Sequence, residues 1–271
     1  MTDFRPATDV LTERSSRVVS LAKLHRASVR RSEGRFLVEG FNSVDAALTT
    51  GRTQQVLVRE DQEQRFGDLV DRALTAGVPV LRLNERAAGK LSETSTPPGV
   101  FAVCDLLTVD LDDVLSGSPR LLVVAVEPRE PGNLGTLTRC ADAMGADAVI
   151  LLGDSVDPHN GKSVRASAGS VFHVPVVRLA DIAGGLAAVR SAGIATLATA
   201  MNGEVSLDDA DELLAAPHAW LFGNEAHGLP DEVLAGADHR VSIPLRGRAE
   251  SLNLAAASAV CLYASARVQN R

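Results

Sequence analysis

Two polar side chains, Asn133 and Arg139, stand in the segment that follows the apolar run 121–126. Gly132 and Gly135 flank Asn133 where a helix is expected to begin. The amide groups of a helix N-terminus favour an anion such as a phosphate. At about 100° per residue the two side chains point to different faces of that helix, but each can reach a ligand at its start. The segment therefore predicts an anion contact, although Asn133 as a helix cap and Arg139 as a solvated residue would give the same pattern.

A second polar group, Gly223, Asn224 and Glu225, follows an apolar run that ends at Phe222. Glycine removes the Cβ at a point where a backbone or a ligand comes close. Open α/β sheets bind ligands at the carboxyl ends of their strands, where this group is expected. A tight turn would account for Gly223 and Asn224, but it would not account for a glutamate beside them in an apolar setting.

A third polar group, Glu250, Ser251 and Asn253, precedes an alanine-rich segment that is predicted to be helical. These residues would serve equally well as a helix N-cap. The small side chains of the helix permit close packing, which predicts burial at a crowded crossing or a subunit interface.

Several common catalytic motifs are missing from the chain. There is no G-x-G-x-x-G and no G-x-x-x-x-G-K-[ST], so an ordinary dinucleotide site or a P-loop is not supported. G-x-S-x-G and H-E-x-x-H are also missing. The six histidines form no ligand-spaced pair, and the three cysteines show no C-x-x-C spacing. We therefore expect no metal site and no disulfide framework.

Positive charge is concentrated at the start of a chain whose net charge is −7. Residues 1–35 carry eight Lys or Arg side chains against four carboxylates. A basic segment on an acidic body can hold a phosphate backbone locally. The candidate RNA-binding side chains are Arg14, Arg17, Lys23, Arg26, Arg30, Arg31 and Arg35. Val18, Leu21 and Leu24 recur at helical spacing, so a solvated amphipathic helix is the alternative.

Strands and helices alternate along the chain, which predicts an α/β protein with two domains. The first part is predicted to have a helix over 12–32, strands over 35–39, 55–59, 78–83 and 100–104, and helices over 42–50 and 63–76. A polar linker is predicted over 105–119. The second part is predicted to have strands over 121–126, 147–152, 174–178, 194–199, 219–223 and 239–243, and helices over 133–145, 163–169, 181–192, 208–214 and 252–268. These strands are almost entirely apolar, which favours a parallel sheet covered on both faces.

The apolar runs are too short for a membrane helix, which needs about 20 residues. The chain begins MTDFRPATDV, without an apolar core behind a basic start. Together with the cysteine count, this predicts a protein of the reducing cytoplasm.

The three polar groups resemble, in type and order, the motifs of the SpoU/TrmH family of SPOUT RNA methyltransferases. The first motif reads PGNLGTLTRCADAMGADAVIL, the second LFGNEAHGLP and the third IPLRGRAESLNLAAASA. The intermediate segment DPHNGKSVRASAGSVFHVPV also looks like the family. The resemblance covers 119–271, and one departure is Ala226, where many members have glycine. Within residues 33–108, the segment from Gly34 to Gly40 and the residues that follow it resemble the ribosomal-protein-like substrate-binding domain that precedes many such catalytic domains. Residues 1–32 would then be a basic helical arm.

The resemblance implies a parallel sheet with a deep trefoil knot, a homodimer formed through the C-terminal domain, and S-adenosylmethionine as cofactor. The residues implied to bind the cofactor are Leu221, Phe222, Gly223, Asn224, Ile243, Pro244 and Leu252, with Thr199 and Ala200. Gly223 would leave room for the cofactor.

The implied reaction is methylation of a ribose 2′-hydroxyl in RNA. Guanidinium is always protonated, so we expect Arg139 to clamp a phosphate or stabilise the developing alkoxide. Asn133 would position the ribose or phosphate and Glu225 would orient Arg139. Ser251 and Asn253 would complete the polar wall.

The accessory domain favours 23S ribosomal RNA as the substrate, with transfer RNA as the alternative. A non-catalytic RNA-binding protein and a base methyltransferase of the same superfamily also stay open. The presence of Asn133, Arg139 and Glu225 argues against the first, and the Asn–Arg pair argues against the second.

Overall fold

The computed structural model describes residues 9–269, which form two compact units. The N-terminal unit contains the described residues up to Leu106 together with His159–His173. The C-terminal unit contains Leu107–Pro158 and the described residues from Val174 onwards. These units differ from the predicted domains, because residues 159–173 cluster with the N-terminal unit and the basic segment is part of that unit. Residues 1–8 and 270–271 of the predicted domains lie outside the described residues.

The N-terminal unit is built on a mixed sheet. Its elements up to residue 106 are β1 (Val10–Leu11), α1 (Ser16–Ala22), α2 (Ala27–Glu33), β2 (Arg35–Glu39), α3 (Phe41–Thr49), β3 (Thr53–Arg59), α4 (Gly67–Thr75), β4 (Val80–Leu83), α5 (Glu85–Leu91) and β5 (Val100–Asp105). A single 3₁₀ turn lies at Lys23–His25, and a 3₁₀ segment of seven residues at Glu60–Phe66. The strand order is β1-β4-β3-β5-β2, and β5 runs antiparallel to both of its neighbours. Apart from the helix predicted over 12–32, the predicted strands and helices are present here, with shifts of a few residues at their ends.

The helix predicted over 12–32 is wrong in its continuity. The chain forms α1, a 3₁₀ turn and α2, and Arg26 between them is extended, with φ −87° and ψ 126°. The guanidinium of Arg30 donates hydrogen bonds of 2.8 Å to the carbonyl oxygens of Leu24 and His25 at the break. Val18, Leu21 and Leu24 are buried in the core of the unit. The segment is therefore an integral part of the domain and not a solvated arm.

The C-terminal unit is a parallel α/β layer structure. The elements from residue 107 onwards are α6 (Leu111–Ser116), β6 (Leu121–Val126), α7 (Pro131–Ala143), β7 (Ala148–Leu152), α8 (Gly161–Ser167, in the N-terminal unit), β8 (Val176–Leu179), α9 (Ile182–Ser191), β9 (Ala195–Thr199), β10 (Val205–Ser206), α10 (Asp211–Ala215), β11 (His218–Phe222), α11 (Asp231–Gly236), β12 (His239–Ser242) and α12 (Leu254–Gln269). Further 3₁₀ turns lie at Ser170–Phe172 and Leu207–Asp209.

The sheet of this unit has the order β10-β12-β9-β11-β6-β7-β8 within the described residues, and its pairings are parallel. Strand β6 is fully buried, and its side chains alternate between two apolar cores, one on each face. Burial on both faces explains the continuous apolar runs of the sequence. The α/β fold and the parallel sheet are thus confirmed, whereas the trefoil knot stays a prediction.

Some short elements were not predicted. Helix α6 lies within the predicted linker, and Leu111 packs into the core beside α9. Helix α5 begins where the Asn84 side chain accepts a 2.8 Å hydrogen bond from the Ala87 amide. None of the helices in residues 9–269 combines the length and the apolar character of a membrane span.

Candidate functional site

The carboxyl ends of β6, β9, β11 and β12 meet at one edge of the C-terminal sheet, because these strands are parallel neighbours. Helix α7 begins at this edge with Pro131, which has the fixed φ suited to a first helical turn. The sequence therefore brings its three polar groups to one place: the start of α7, the loop after β11 and the segment after β12.

The loop after β11 is tied to the residue that follows β6. Asn224 donates a 2.9 Å hydrogen bond from its side-chain amide to the carbonyl oxygen of Glu127, and its Oδ1 accepts from the Ala226 amide at 2.8 Å. Glu127 is one of few non-glycine residues with positive φ in the described chain, at 50°. Strain of this kind persists only where the surroundings hold it. Asn224, predicted to contact a cofactor, thus has its side chain engaged within the protein.

Glu225 accepts three hydrogen bonds at the start of α7. The amide groups of Arg129 and Glu130 donate at 3.1 and 3.2 Å, and Nδ2 of Asn133 donates at 3.1 Å. A carboxylate at a helix N-terminus also interacts favourably with the helix dipole. The prediction that Glu225 orients Arg139 is wrong, because the carboxylate holds Asn133 and the preceding backbone instead. Arg139 lies two turns further along the helix.

The pKa of Glu225 reflects this arrangement. Burial of the carboxylate raises its pKa, whereas hydrogen bonds from the Arg129 amide, the Asn133 side chain and the Glu130 amide lower it. The balance leaves the pKa of Glu225 below its ordinary value. The site therefore holds a carboxylate that is ionised at neutral pH.

The third motif joins this cluster through Asn253. Its Nδ2 donates a 3.1 Å hydrogen bond to Oδ1 of Asn133, and its own Oδ1 accepts from the Ala255 amide at 2.9 Å. Asn133, Glu225 and Asn253 thus form a continuous chain of side-chain hydrogen bonds across the three motifs. Because Asn133 is fixed on both its oxygen and its nitrogen, its orientation is determined by the network.

Gly223 is required by the protein's own backbone. A Cβ at this position would lie 2.1 Å from the carbonyl carbon of Gly228 and 2.2 Å from the amide nitrogen of Leu229. Asn224 and Gly228 also exchange two main-chain hydrogen bonds, of 3.0 and 2.8 Å, which close the loop. The close approach expected at Gly223 is therefore with the protein's own backbone, and its contact with a cofactor stays a prediction.

The remaining candidate cofactor residues lie at the same edge but differ in what they expose. The side chains of Leu221 and Phe222 are fully buried in the two apolar cores, and their main-chain atoms belong to β11, which pairs with a strand on each side. Thr199 donates a 3.0 Å hydrogen bond to the Leu221 carbonyl, and the Ala200 amide donates one of 3.0 Å to the Val241 carbonyl. The partly buried residues are Ile243 and Pro244, and Leu252 is 38% exposed.

Arg139 and Ser251 are exposed, and neither side chain has a hydrogen-bond or ion-pair partner among residues 9–269. Arg139 projects from α7 beyond the Glu225 cluster. A guanidinium without a partner inside the protein keeps its five donors available for a phosphate or a developing negative charge.

The predicted RNA-binding side chains of the basic segment fall into two classes. Arg30 is only 3% exposed and bonds to the protein backbone, so the prediction that it contacts RNA is wrong. Arg17 donates a 2.7 Å hydrogen bond to Gln55, and Arg35 donates two hydrogen bonds to one carboxylate oxygen of Glu33. The exposed members are Arg14, Arg17, Lys23, Arg26 and Arg31.

Residues 9–269 contain no cluster of three or more potential metal ligands.

The sequence did not identify the main-chain donors of Arg129 and Glu130 as part of the site. Pro128 and Pro131 indicated an extended segment there, but no side-chain pattern marks which amide groups point at Glu225. The ion pair of 2.6 Å between Arg129 and Asp154 lies on the same segment and was also missed.

The model of the SpoU rRNA Methylase family matches residues 120–263, which include all three motifs. The chain belongs to this family. A second family model, the MRM3-like substrate binding domain, matches residues 15–102. The resemblance drawn from the motifs is thereby confirmed for both parts of the chain.

Curated relatives of this SpoU-family chain match along almost all of its length. It is 32% identical to the 23S rRNA (guanosine(2553)-2'-O)-methyltransferase RlmP of Bacillus subtilis (strain 168), over 92% of the chain and 96% of the relative. It is also 32% identical to the 23S rRNA (uridine(2479)-2'-O)-methyltransferase of Streptomyces viridochromogenes, over 97% of the chain and 93% of the relative.

A solved structure of similar fold is the AdoMet bound rRNA methyltransferase from Sinorhizobium meliloti. It superposes with a TM-score of 0.83 at 31% identity, and the match covers 96% of this chain and 97% of that one. The SpoU family match and this likeness together cover both units of the chain.

Proposed function

We propose that this chain transfers a methyl group from S-adenosylmethionine to a ribose 2′-hydroxyl of 23S ribosomal RNA. The observation that carries the proposal is the hydrogen-bonded cluster of Asn133, Glu225 and Asn253, formed by the three motifs of a SpoU-family chain at one sheet edge. The named activities of the relatives support the same reaction and substrate. They also favour ribosomal RNA over transfer RNA, and an enzyme over a non-catalytic binding protein.

The residues at this edge suit S-adenosylmethionine. The ends of β9, β11 and β12 bring main-chain groups to this edge, and the apolar side chains of Ile243, Leu245 and Leu252 lie on the segment that follows β12. An adenosine group has flat apolar faces and a polar edge, so a set of main-chain groups beside apolar side chains suits it. When bound, the cofactor supplies an electrophilic methyl group on a sulfonium.

The protein's own residues would hold and activate the RNA. Asn133, fixed by Glu225 and Asn253, would orient the ribose or its phosphate, which is the positioning that makes an attack efficient. The positive charge of Arg139 would stabilise an adjacent phosphate, or the negative charge that develops on the 2′-oxygen as it loses its proton. Glu225 acts as a positioning residue for Asn133 and the α7 backbone, and Ser251 would extend the polar wall.

The exposed members of the basic segment would contact the phosphate backbone of the RNA. Arg14, Lys23, Arg26 and Arg31 are exposed, and contacts from such side chains release counterions and make the affinity salt-dependent. Arg30 takes no part, because it is buried.

We also propose that two chains associate through α12 and act in the cytoplasm. Tyr263 is 60% exposed and Val260 41% exposed, on an alanine-rich helix whose other face packs into the core. Large exposed apolar side chains on one helix are suited to a subunit interface. Light scattering of the purified protein tests the dimer, and a monomeric mass at micromolar concentration would exclude it.

The cysteines bear on the compartment. All three are free, which suits the reducing cytoplasm.

The test of the reaction is transfer of labelled methyl from S-adenosylmethionine to purified 23S ribosomal RNA and, separately, to transfer RNA from a strain lacking the gene. The expected product resists alkaline cleavage next to one ribose of 23S RNA. Label in transfer RNA alone would support the alternative substrate. Label that leaves alkaline cleavage unchanged would indicate base methylation, and no label in either RNA would favour a non-catalytic role.

A further inference from the structure

The N-terminal unit contains a cleft of about 440 Å³ that none of the predicted site residues lines. Its walls are the start of α3, the loop between α5 and β5, and the end of α8. Volumes of this order are typical of sites for small organic groups. The side chains that give it chemical character are Phe41, Ser43, Thr94, Thr96 and Arg165.

Phe41 gives the cleft an exposed aromatic surface. The residue is 51% exposed, although its ring stacks on the buried Phe66 with centroids 6.4 Å apart and planes 17° apart. Arg65 lies over the other member of this pair, 5.2 Å from the centroid of Phe66. A ring that is held on one side and exposed on the other is a platform for another flat group.

Ser43 gives the cleft an unused hydrogen-bonding group. The residue is only 3% exposed and lines the cleft, yet its hydroxyl has no hydrogen-bond partner in the part of the chain that the structure describes. Ser43 Oγ is not one of the fully buried polar atoms that lack a partner, so it keeps some exposure to the cleft and can bond to a group that binds there. Thr94 and Thr96 line the same cleft, and the Thr94 hydroxyl is already bonded to the Ser92 hydroxyl and the Thr96 carbonyl.

The charge of the cleft argues against a phosphate. The guanidinium of Arg165 contacts the carboxylate of Glu39, whose side chain is 6% exposed, and lies 3.3 Å from the carboxylate of Glu93. One positive charge therefore faces two negative ones, and no excess of positive charge remains for an anion. The cleft suits a flat, uncharged group that carries hydrogen-bonding edges.

We propose that this cleft binds one unstacked base of the RNA, with Phe41 as the stacking platform and Ser43 reading the edge of the base. The inference rests on the proposed function, because it takes RNA as the substrate. Sequence-specific recognition of RNA mostly targets single-stranded bases that stack on aromatic side chains and are hydrogen-bonded on their edges. The N-terminal unit would then contribute a base contact in addition to phosphate contacts.

The test is fluorescence anisotropy of the full chain with labelled 23S ribosomal RNA transcripts and with short homopolymeric oligoribonucleotides. Replacing a stacking ring by alanine weakens binding by about 5- to 150-fold, so Phe41→Ala should do so and Phe41→Tyr should not. The slope of the RNA affinity against salt concentration should be the same for Phe41→Ala and the wild type, because no phosphate contact is lost. Thr75→Ala, which truncates an exposed side chain of the same unit outside both the cleft and the basic segment, should bind as the wild type does.

Ser43→Ala separates a binding role from a structural one. Because the hydroxyl has no partner in the described protein, the melting temperature should stay unchanged or rise, while RNA affinity should fall by about two- to tenfold.

If both Phe41→Ala and Ser43→Ala bind RNA as tightly as the wild type and the wild type methylates ribosomal RNA, the base site is wrong and the proposed function stands. If Phe41→Ala binds weakly and the wild type transfers no methyl group, the base site stands and the proposed function falls. Failure of the wild type to bind any RNA overturns both.

Discussion

The candidate active site has two parts that differ in how far their polar groups are bonded inside the protein. In the closed part, residues 127–133 and 223–228, Glu225, Asn224 and Asn133 all have partners within the chain. In the open part, Arg139 and residues 247–252, the side chains are exposed and make no hydrogen bond or ion pair with any described residue. Side chains that are hydrogen-bonded inside the protein can fix the geometry of the site. Side chains without a partner in the protein can instead contact the RNA or the cofactor. The comparison therefore assigns positioning to the closed part and direct contact to the open part.

The largest effect is expected from a change that breaks the closed part. Gly223→Val would place Cβ within 2.2 Å of the Gly228 and Leu229 backbone, so the loop must move. We expect methyl transfer to fall more than about 100-fold and the melting temperature to fall by about 2–10 °C. The control is Gly247→Val in the open part, where a Cβ meets nothing within 4 Å and the melting temperature should not change. A Gly223→Val protein as stable as the wild type would show that the loop is not closed as described.

Arg139→Ala tests the open part. A charge-assisted contact is worth about 1.5–3 kcal/mol, so the single-turnover rate should fall at least about 10- to 150-fold. The melting temperature should stay the same, because the side chain has no partner in residues 9–269, and the affinity for S-adenosylmethionine should change by no more than a few fold. Arg139→Lys should restore little if the contact is bidentate. Near-normal transfer by Arg139→Ala would remove this residue from the catalytic assignment.

Glu225→Gln weakens the closed part without a change of size. The substituted amide has one acceptor oxygen in place of two, so at least one of the three donors loses its partner. We expect a fall of about tenfold in the transfer rate together with a lower melting temperature, because the start of α7 and Asn133 are held by fewer hydrogen bonds. Glu225→Asp serves as the charge-preserving comparison. A rate loss with no change in stability would assign Glu225 to direct chemistry and not to positioning.

The same variant gives a test by pH. The folded pKa of Glu225 is lowered, so its stabilising contribution is fully present above the ordinary value of 4.5 and is lost as the pH falls through the lower, folded pKa. The difference in unfolding free energy between wild type and Glu225→Gln should therefore be largest at neutral pH and shrink below pH 4.5. Denaturant melts across this range measure it, and a difference that grows on acidification would contradict the assignment.

The smallest effect is expected from Ser251→Ala in the open part. A neutral hydrogen bond contributes about 0.5–1.5 kcal/mol, so the transfer rate should fall by about two- to tenfold. Stability should be unchanged, because the hydroxyl is exposed and bonds to no described residue. A marked drop in melting temperature would place Ser251 with the closed part.

The sequence predicted the sheet and the meeting of the three motifs, because both follow from simple patterns. Continuous apolar runs indicated buried parallel strands, and parallel strands bring their carboxyl ends to one edge. It also predicted that Asn133, Glu225 and Asn253 belong together. It gave the wrong partner for Glu225, since two of the three donors to this carboxylate are the amide groups of Arg129 and Glu130, and main-chain donors leave no trace in a residue pattern.

The basic segment shows where composition misleads. Arg30 and Arg31 are adjacent and identical in type, yet one is buried against carbonyl oxygens and the other is exposed. Only the break between α1 and α2 decides which of them faces the protein. Helical spacing alone predicted one continuous helix, because an extended residue such as Arg26 carries no proline or glycine signal.

The discontinuous make-up of the N-terminal unit has a consequence for its assembly during synthesis. Phe36 is fully buried, and its ring contacts those of His159 and Phe172, both from the segment 159–173. When residue 106 has emerged from the ribosome, the segment that completes the core of this unit has therefore not yet been synthesised. At roughly 5–20 residues per second, the missing segment follows about 3–13 seconds later. During that interval the nascent chain carries an incomplete N-terminal core, which is sealed only after β6, α7 and β7 have been translated.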